Sequence, residues 1–135
     1  MKWIAILLGL ICLWIIVMSL WSLIGDGFFY HTQSPYPVIE ITSSKVTFQL
    51  IREAKINLNM VSSKKVICDG EVITLEEAIV PVRKGNFNGY WSWIIPEWIP
   101  RGKDCYLVGQ LTYRPFGILG PTMTYNWESE KFIIP

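Results

Sequence analysis

The 135-residue chain has few of the side chains that most enzymes use for catalysis. It contains one histidine, His31, and three cysteines, too few to converge on a metal ion in the usual ligand sets. It has no H-E-x-x-H, G-x-S-x-G, Walker or C-x-x-C motif. The acidic residues between Asp69 and Glu77 form a loose group, which is typical of a solvated strand edge rather than of a catalytic carboxylate pair. We therefore expect no enzymatic activity, no catalytic residue, no metal site and no cofactor.

Concentrated charge is also lacking. Charged residues make up 17% of the chain, and the formal net charge is +1. The basic residues are scattered along the sequence, whereas nucleic-acid binding requires a concentrated positive face. The sequence therefore predicts no nucleic-acid partner. The absence of an N-x-S/T sequon favours a bacterial or viral origin over an animal cell surface.

The segment from Trp3 to Ile24 contains no charged residue at all. Its 22 residues would form a helix about 33 Å long, against a hydrocarbon core of roughly 30 Å. It has no polar stripe, and Trp3 and Trp21 fall near its ends, where indoles favour the membrane interface. Residues 1–24 are therefore predicted to form a transmembrane helix that contacts lipid through residues 3–24.

A cleaved signal peptide is the alternative for this segment. Cleavable apolar cores run for about 7–15 residues and end in a small-x-small site. Here the run is longer, and its only candidate site, Gly25 and Gly27, follows a full membrane span. We favour a retained signal-anchor. Lys2 precedes the helix and no Lys or Arg follows it before Lys45, which favours a cytoplasmic N-terminus and an exported, periplasmic C-terminal domain.

Residues 25–37 are predicted to be a linker, because G-D-G and S-P-Y-P place turn residues at both ends. This segment is aromatic. Phe28, Phe29 and Tyr30 are expected to form an interfacial belt on the lipid headgroups, together with Trp3 and Trp21.

Residues 38–135 alternate between apolar and polar side chains in several short runs, such as K-V-T-F-Q-L and C-Y-L-V-G-Q-L-T-Y. K-I-N-L-N-M-V and K-K-V-I-C-D-G are interpreted as separate strands, and R-K-G-N-F-N-G as a loop. About seven strands with regularly spaced turns predict an all-β domain, an antiparallel sandwich of the immunoglobulin type. A small barrel is the alternative.

Two of the three cysteines, Cys68 and Cys105, lie in the domain that we expect to be exported, so we predict a single disulfide between them. Such a pair bridges the two sheets in immunoglobulin domains, with a tryptophan packed on the bond. Two unpaired thiols are the alternative. Cys12 lies within the apolar run and is interpreted as a small apolar residue.

Three tryptophans and a tyrosine crowd the stretch Y-W-S-W-I-I-P-E-W. On a strand, Trp91 and Trp93 share one face and Tyr90 lies on the other. One face is expected to be core, while the outer face and Trp98 form an aromatic binding patch. Which face is outward stays open, so all four aromatic residues are candidates. The prolines on either side of Trp98 place it beyond the strand.

The layout resembles small bacteriophage-encoded membrane proteins with a single-pass anchor, a proline-bearing linker and an immunoglobulin-like ectodomain. The detailed likeness covers about residues 100–135, in P-R-G-K-D-C-Y-L, Q-L-T-Y-R-P, I-L-G-P and S-E-K-F-I-I-P. The chain departs from the tight P-x-G-x-Y turn of that group by two extra residues between Gly102 and Tyr106. The resemblance implies a phage origin and brings no catalytic residues.

Two functions are compatible with these features. The first is a membrane-tethered, non-enzymatic binding or structural module at the outer face of the inner membrane. Its partner would be a virion component, a host envelope protein or a second copy. The second is a helix-driven regulator of phage lysis or superinfection exclusion, for which Ala5 and Gly9 provide an A-x-x-x-G face.

A reporter fusion tests the predicted topology. A phosphatase that is active only outside the cytoplasm, fused after Pro135, is expected to be active because the positive-inside rule places the C-terminus outside. A silent reporter on a stably expressed fusion would reverse the orientation.

Overall fold

A computed structural model of the protein describes residues 1–24 and 27–135. The described part contains one helix and ten strands. Their bounds are α1 (Lys2–Ile24), β1 (Tyr30–Thr32), β2 (Val38–Ile41), β3 (Lys45–Ala54), β4 (Leu58–Cys68), β5 (Glu71–Thr74), β6 (Ala78–Val82), β7 (Gly85–Ile94), β8 (Asp104–Tyr113), β9 (Met123–Glu128) and β10 (Phe132–Ile133).

The N-terminal apolar run is a single helix of 23 residues, as predicted. Within it, the segment Lys2–Trp21 has a mean hydropathy of 2.7 and contains no buried residue, although Trp21 is partly covered by the domain. A helix that exposes apolar side chains all round suits a lipid environment better than water. By length and composition, α1 is able to cross a membrane.

The strands form two antiparallel sheets. In the first, β3 lies in the centre; β7 pairs with its whole length on one side, and β1 and β2 share the other side. In the second, β4 and β8 are central. The outer side of β4 is shared by β5 and β6, and the outer side of β8 by β9 and β10.

The core lies between the two sheets and consists of the apolar side chains that alternate along their inner faces. Val46 and Phe48 from β3 and Met60 from β4 have no exposed surface, as the period-two pattern predicted. Phe48 meets Phe132 of the opposite sheet with ring centroids 5.9 Å apart. The prediction of an all-β, antiparallel domain behind an apolar helix is confirmed.

The domain begins earlier than predicted, because part of the proposed linker 25–37 is built into the first sheet. Tyr30 pairs with Ala54 at the end of β3, and both Tyr30 and Tyr36 are buried. Phe29 is buried as well. The linker assignment is wrong for this part, because Tyr30 pairs with β3 and the side chains of Phe29, Tyr30 and Tyr36 are buried in the core. Phe29 and Tyr30 are therefore core residues and do not belong to the predicted interfacial belt. Residues 25 and 26 lie outside the described part.

Two strand assignments also need correction. The segments predicted as two strands between residues 55 and 70 are one continuous strand, β4. The predicted loop R-K-G-N-F-N-G supplies the first half of β7, where residues 85–89 pair with 54–50 of β3. Glycine and asparagine have low strand propensity, but pairing along a long central strand overrides it.

Cys68 and Cys105 form a disulfide, with their Cα atoms 4.1 Å apart. The two residues face each other directly on β4 and β8, and both are fully buried. The bond therefore joins neighbouring strands within the second sheet and does not cross between the sheets. Cys12 is a free, exposed thiol on α1.

Hydrogen bonds join the two sheets along one side of the sandwich. The Tyr36 N–H donates to the Glu128 carbonyl, and the Tyr36 carbonyl accepts from the Glu130 N–H, both at 3.0 Å. Nearby, the Tyr125 hydroxyl donates to the Thr32 carbonyl at 3.1 Å. These contacts close the side where β1 and β2 face β9 and β10.

Stacking of Tyr36 on Trp127 reinforces this closure. Their rings are nearly parallel, at 5°, with centroids 4.8 Å apart. The Trp127 indole lies directly over Gly109 on β8, and a Cβ atom at that position would overlap the indole. Glycine is therefore required at residue 109 for the indole to lie against the backbone of β8.

We predict that Gly109→Ala lowers the free energy of unfolding by about 1–3 kcal/mol, since the added methyl group overpacks this contact. The matched control is Gln110→Ala, the exposed neighbour on the same strand. Chemical denaturation of the full chain in detergent micelles measures both. Equal stabilities of the two variants would contradict the contact between Gly109 and Trp127.

Candidate binding groove along β7

β7 is an edge strand that lacks the usual protection of edges. It pairs with β3 over ten residues, and no other described strand pairs with it. Its sequence, G-N-F-N-G-Y-W-S-W-I, contains no charged residue and no proline. Lysines, prolines, bulges and short length normally keep an edge from accepting a foreign strand. The other edge strands are shorter, with at most six residues. β7 is thus the long, open edge of the molecule.

The structure resolves which face of this strand is outward. Trp93 is buried and Trp91 is half-buried, so both indoles point inward. Tyr90 and Ile94 point outward, with 68% and 69% of their surfaces exposed. Trp98 lies on the connection after β7 and is 62% exposed. Of the four aromatic candidates, Tyr90 and Trp98 are therefore accessible, whereas Trp93 belongs to the core.

A groove lies beside β7, between this strand and the outer strands of the second sheet. Its wider part is a cavity of about 350 Å³. The lining residues of this part are Lys64, Thr74, Leu75, Glu76, Trp93, Pro96 and Trp98. A smaller cavity of about 100 Å³ lies between the sheets and shares Lys64 with the first. We use the term β7 groove for these two cavities together with the free edge of β7.

Two cations project inward into the smaller cavity from opposite sheets. Lys64 follows the buried Ser62 in the alternation of β4, and Arg52 follows Leu50 in that of β3. The Lys64 Nζ lies 4.9 Å from the centroid of the Trp91 ring, which stabilises the cation through the face of the indole. Burial lowers the pKa of Lys64, because the charged ammonium is poorly solvated there.

Two phenols complete the lining of this cavity. Burial raises the pKa of both Tyr30 and Tyr36 above its ordinary value, although the positive charge of Arg52 acts in the opposite direction. Both hydroxyls therefore stay protonated at neutral pH. The residues that line the cavity include Arg52 and Lys64 but no aspartate or glutamate. Such a lining suits an anionic group, for example a carboxylate, that brings the missing negative charge.

The two inward cations are the candidate site residues that sequence reasoning missed. Arg52 continues the alternation Val46, Phe48, Leu50, and this continuation was the available signal. The inward orientation of Lys64 was harder to predict, because Lys64 and Lys65 are adjacent and point to opposite faces of the strand. The sequence was also read as two strands where β4 is one, so the alternation could not be continued from Met60 to Lys64. Within residues 1–24 and 27–135, no three His, Cys, Asp or Glu side chains are grouped closely enough to hold a metal ion.

The remaining site candidates lie around the end of α1. Trp3 is exposed at the start of the helix, and Phe28 is exposed just before the domain. Trp21 packs against Phe29 and Phe116, with ring centroids 5.6 and 4.5 Å apart. The aromatic cluster at this end therefore joins the helix to the domain.

No protein-family model, no curated protein and no solved structure matches the chain. The arrangement of its own residues is therefore the basis for assigning a function.

The two roles within the tryptophan-rich stretch are separable by mutation. Trp93→Ala should lower the free energy of unfolding by about 3–5 kcal/mol, because it empties part of the core. Trp98→Ala should change it by less than about 0.5 kcal/mol, as is usual for exposed side chains. Chemical denaturation of the full chain in micelles measures both. A larger loss for Trp98→Ala would contradict its placement outside the core.

Proposed function

We propose that the protein is a membrane-tethered, non-enzymatic binding module whose β7 groove receives an extended segment of a protein partner. In this proposal α1 spans the inner membrane with its N-terminus in the cytoplasm, and the domain stands at the outer, periplasmic face. The observation that carries the proposal is the uncharged, ten-residue free edge of β7. A sheet edge of this kind binds peptides by adding them as a further strand.

The mechanism is non-covalent and has three parts. Backbone hydrogen bonds to β7 provide affinity that depends little on the partner's sequence. Trp98, on the rim of the groove, supplies an exposed aromatic anchor of the type that dominates binding energies. Lys64 and Arg52 then select a segment with an acidic side chain or a terminal carboxylate, since their charges need an anionic partner.

The strand order supports an immunoglobulin-like classification. If β1 and β2 correspond to strand A, then β3, β4, β7, β8 and β9 take the places of B, C, E, F and G. In constant-type domains the fourth strand, D, pairs with E and covers its edge. Here β5 and β6, the strands between β4 and β7 in the chain, pair with β4 instead. The edge of β7 that strand D would cover is therefore free.

The proposed origin is a bacteriophage, on the basis of the resemblance in residues 100–135 and the anchor-and-ectodomain layout. A phage protein in this position meets three kinds of partner, namely a virion component, a host envelope protein and a second copy of itself. An open β-edge is able to pair with a strand from any of these.

Regulation through the helix is the second candidate. The observation that favours it is that α1 is exposed from Trp3 to Val17, and that a Cβ atom built at Gly9 would have no other atom within 4 Å. With Ala5 one turn earlier, this face permits close approach of another helix. Replacing α1 by an unrelated anchor should leave a groove-based function intact and abolish a helix-based one.

Site-specific photocrosslinking tests the groove. A benzoylphenylalanine at Tyr90 in the full chain, expressed in bacterial membranes, is expected to crosslink a partner along an extended segment that mass spectrometry identifies. Lys64→Met should reduce the yield of this crosslink, because it removes the cation that meets the acidic residue. The matched control is the same label at Ile133, an exposed position on β10 at the other side of the sandwich.

Equal crosslinking from Tyr90 and Ile133, or a yield that Lys64→Met leaves unchanged, would contradict the proposal. A crosslink from Tyr90 to a second copy would identify self-association.

A further inference from the structure

One end of the domain gathers three loops beside the end of α1. Ala54 pairs with both Tyr30 and Gly85, so the start of the domain, the β3–β4 loop and the β6–β7 connection lie together. The Lys84 N–H donates to the Asn57 side-chain oxygen at 2.7 Å, which joins two of these loops. We call residues 55–57, 83–84 and 114–122 the membrane-proximal end.

The third loop, between β8 and β9, reaches this end through aromatic contacts. The Phe116 ring lies 5.6 Å from that of Phe29, at the start of the domain, and 4.5 Å from that of Trp21, in the last turns of α1. Trp21 is the residue that the sequence places at the membrane interface. The loop is therefore held beside the point at which the helix leaves the membrane.

The tip of this loop is apolar and exposed. Ile118 and Leu119 expose 87% and 81% of their surfaces, and Phe116 beside them is partly exposed. The Arg114 guanidinium donates to the Ile118 carbonyl at 3.2 Å, which braces the loop in this conformation. Adjacent exposed apolar side chains of this kind mark a contact surface rather than ordinary solvated loop.

Basic side chains share this end of the domain with the apolar tip. The three loops contain four basic residues and no acidic one. The basic residues are Lys55, Arg83, Lys84 and Arg114. Glu53, on β3, is the acidic residue closest in sequence to these loops, so positive charge predominates at this end even when Glu53 is counted. An apolar tip with four cations at the same end of the domain matches the headgroup region of an anionic bilayer, where apolar groups insert and cations contact phosphates.

We propose that the membrane-proximal end is a second membrane-binding surface, in which Ile118 and Leu119 enter the interface and the four cations contact anionic lipid headgroups. This inference rests on the proposed anchoring by α1. Attachment at two points would prevent the domain from rotating freely about the end of the helix. The β7 groove would then face the partner in one orientation.

Depth-dependent quenching in the intact protein tests the surface. The full chain with Cys12→Ser, which leaves no free thiol outside the disulfide, receives one new cysteine that carries an environment-sensitive fluorophore. The test position is Leu119→Cys. The matched control is Val72→Cys. Val72 is an exposed apolar residue on β5, where it pairs with the end of β4 that lies farthest from the membrane-proximal end. Ile16→Cys, within α1, reports insertion of the helix. Each protein is reconstituted into nanodiscs that contain brominated lipid tails.

Quenching at residue 119 should exceed that at residue 72 several-fold, and it should be stronger with phosphatidylglycerol than with phosphatidylcholine alone. Arg83→Ala with Lys84→Ala should reduce the phosphatidylglycerol value toward the neutral-lipid value. Lys103→Ala with Lys131→Ala, two exposed cations at the opposite end, should leave it unchanged. High salt should act in the same direction as the Arg83 and Lys84 changes, because it screens headgroup contacts.

Quenching at residue 16 with equally low quenching at 119 and 72 would overturn the second surface while leaving the anchor intact. An unquenched label at residue 16 would overturn the anchor and, with it, this proposal. Quenching at 119 that responds neither to anionic lipid nor to the Arg83 and Lys84 changes would overturn the headgroup contacts.

Discussion

The hydrogen bonds of Tyr36 with Glu128 and Glu130 hold the two sheets together along one side, whereas within the described residues no backbone hydrogen bond joins β7 to the opposite sheet. Stacking of Tyr36 on Trp127 requires Gly109, so three distant parts of the chain cooperate in the closure. On the β7 side the sheets meet through ring contacts instead, with the centroid of Trp91 5.8 Å from that of Trp127 and the centroid of Trp93 6.2 Å from that of Phe132. The edge of β7 is free because β5 and β6 pair with β4 and not with β7.

Under the proposed function, the same interior sacrifices some stability for binding. Arg52 and Lys64 occupy inward positions at which apolar side chains would pack better, and burying a cation without a charged partner is unfavourable. The faces of Phe87 and Trp91 compensate in part, with cation–ring distances of 4.7 and 4.9 Å. An anionic group from a partner would complete the compensation. The proposed function thus explains why two cations occupy inward positions, which packing alone does not explain.

The sequence by itself determined the features that depend on local patterns. An uncharged apolar run is sufficient to identify α1, because helix length and lipid solubility are properties of one segment. Alternation is sufficient to identify the inner face of β3 and of β8. Two cysteines in a domain expected to be exported were enough to predict the disulfide. Pro96 and Pro100 were enough to place Trp98 beyond the strand, since proline cannot join the ladder.

Only the tertiary structure decided the features that depend on partners distant in the chain. The glycine and asparagine residues at the start of β7 form a strand because β3 pairs with them, and Tyr30 is core because Ala54 lies opposite it. Lys55 and Lys84 are far apart in sequence, so their accumulation beside α1 was invisible as a charge cluster. Strand pairing and inter-sheet packing set these positions, and both are non-local interactions that a period or a motif does not encode.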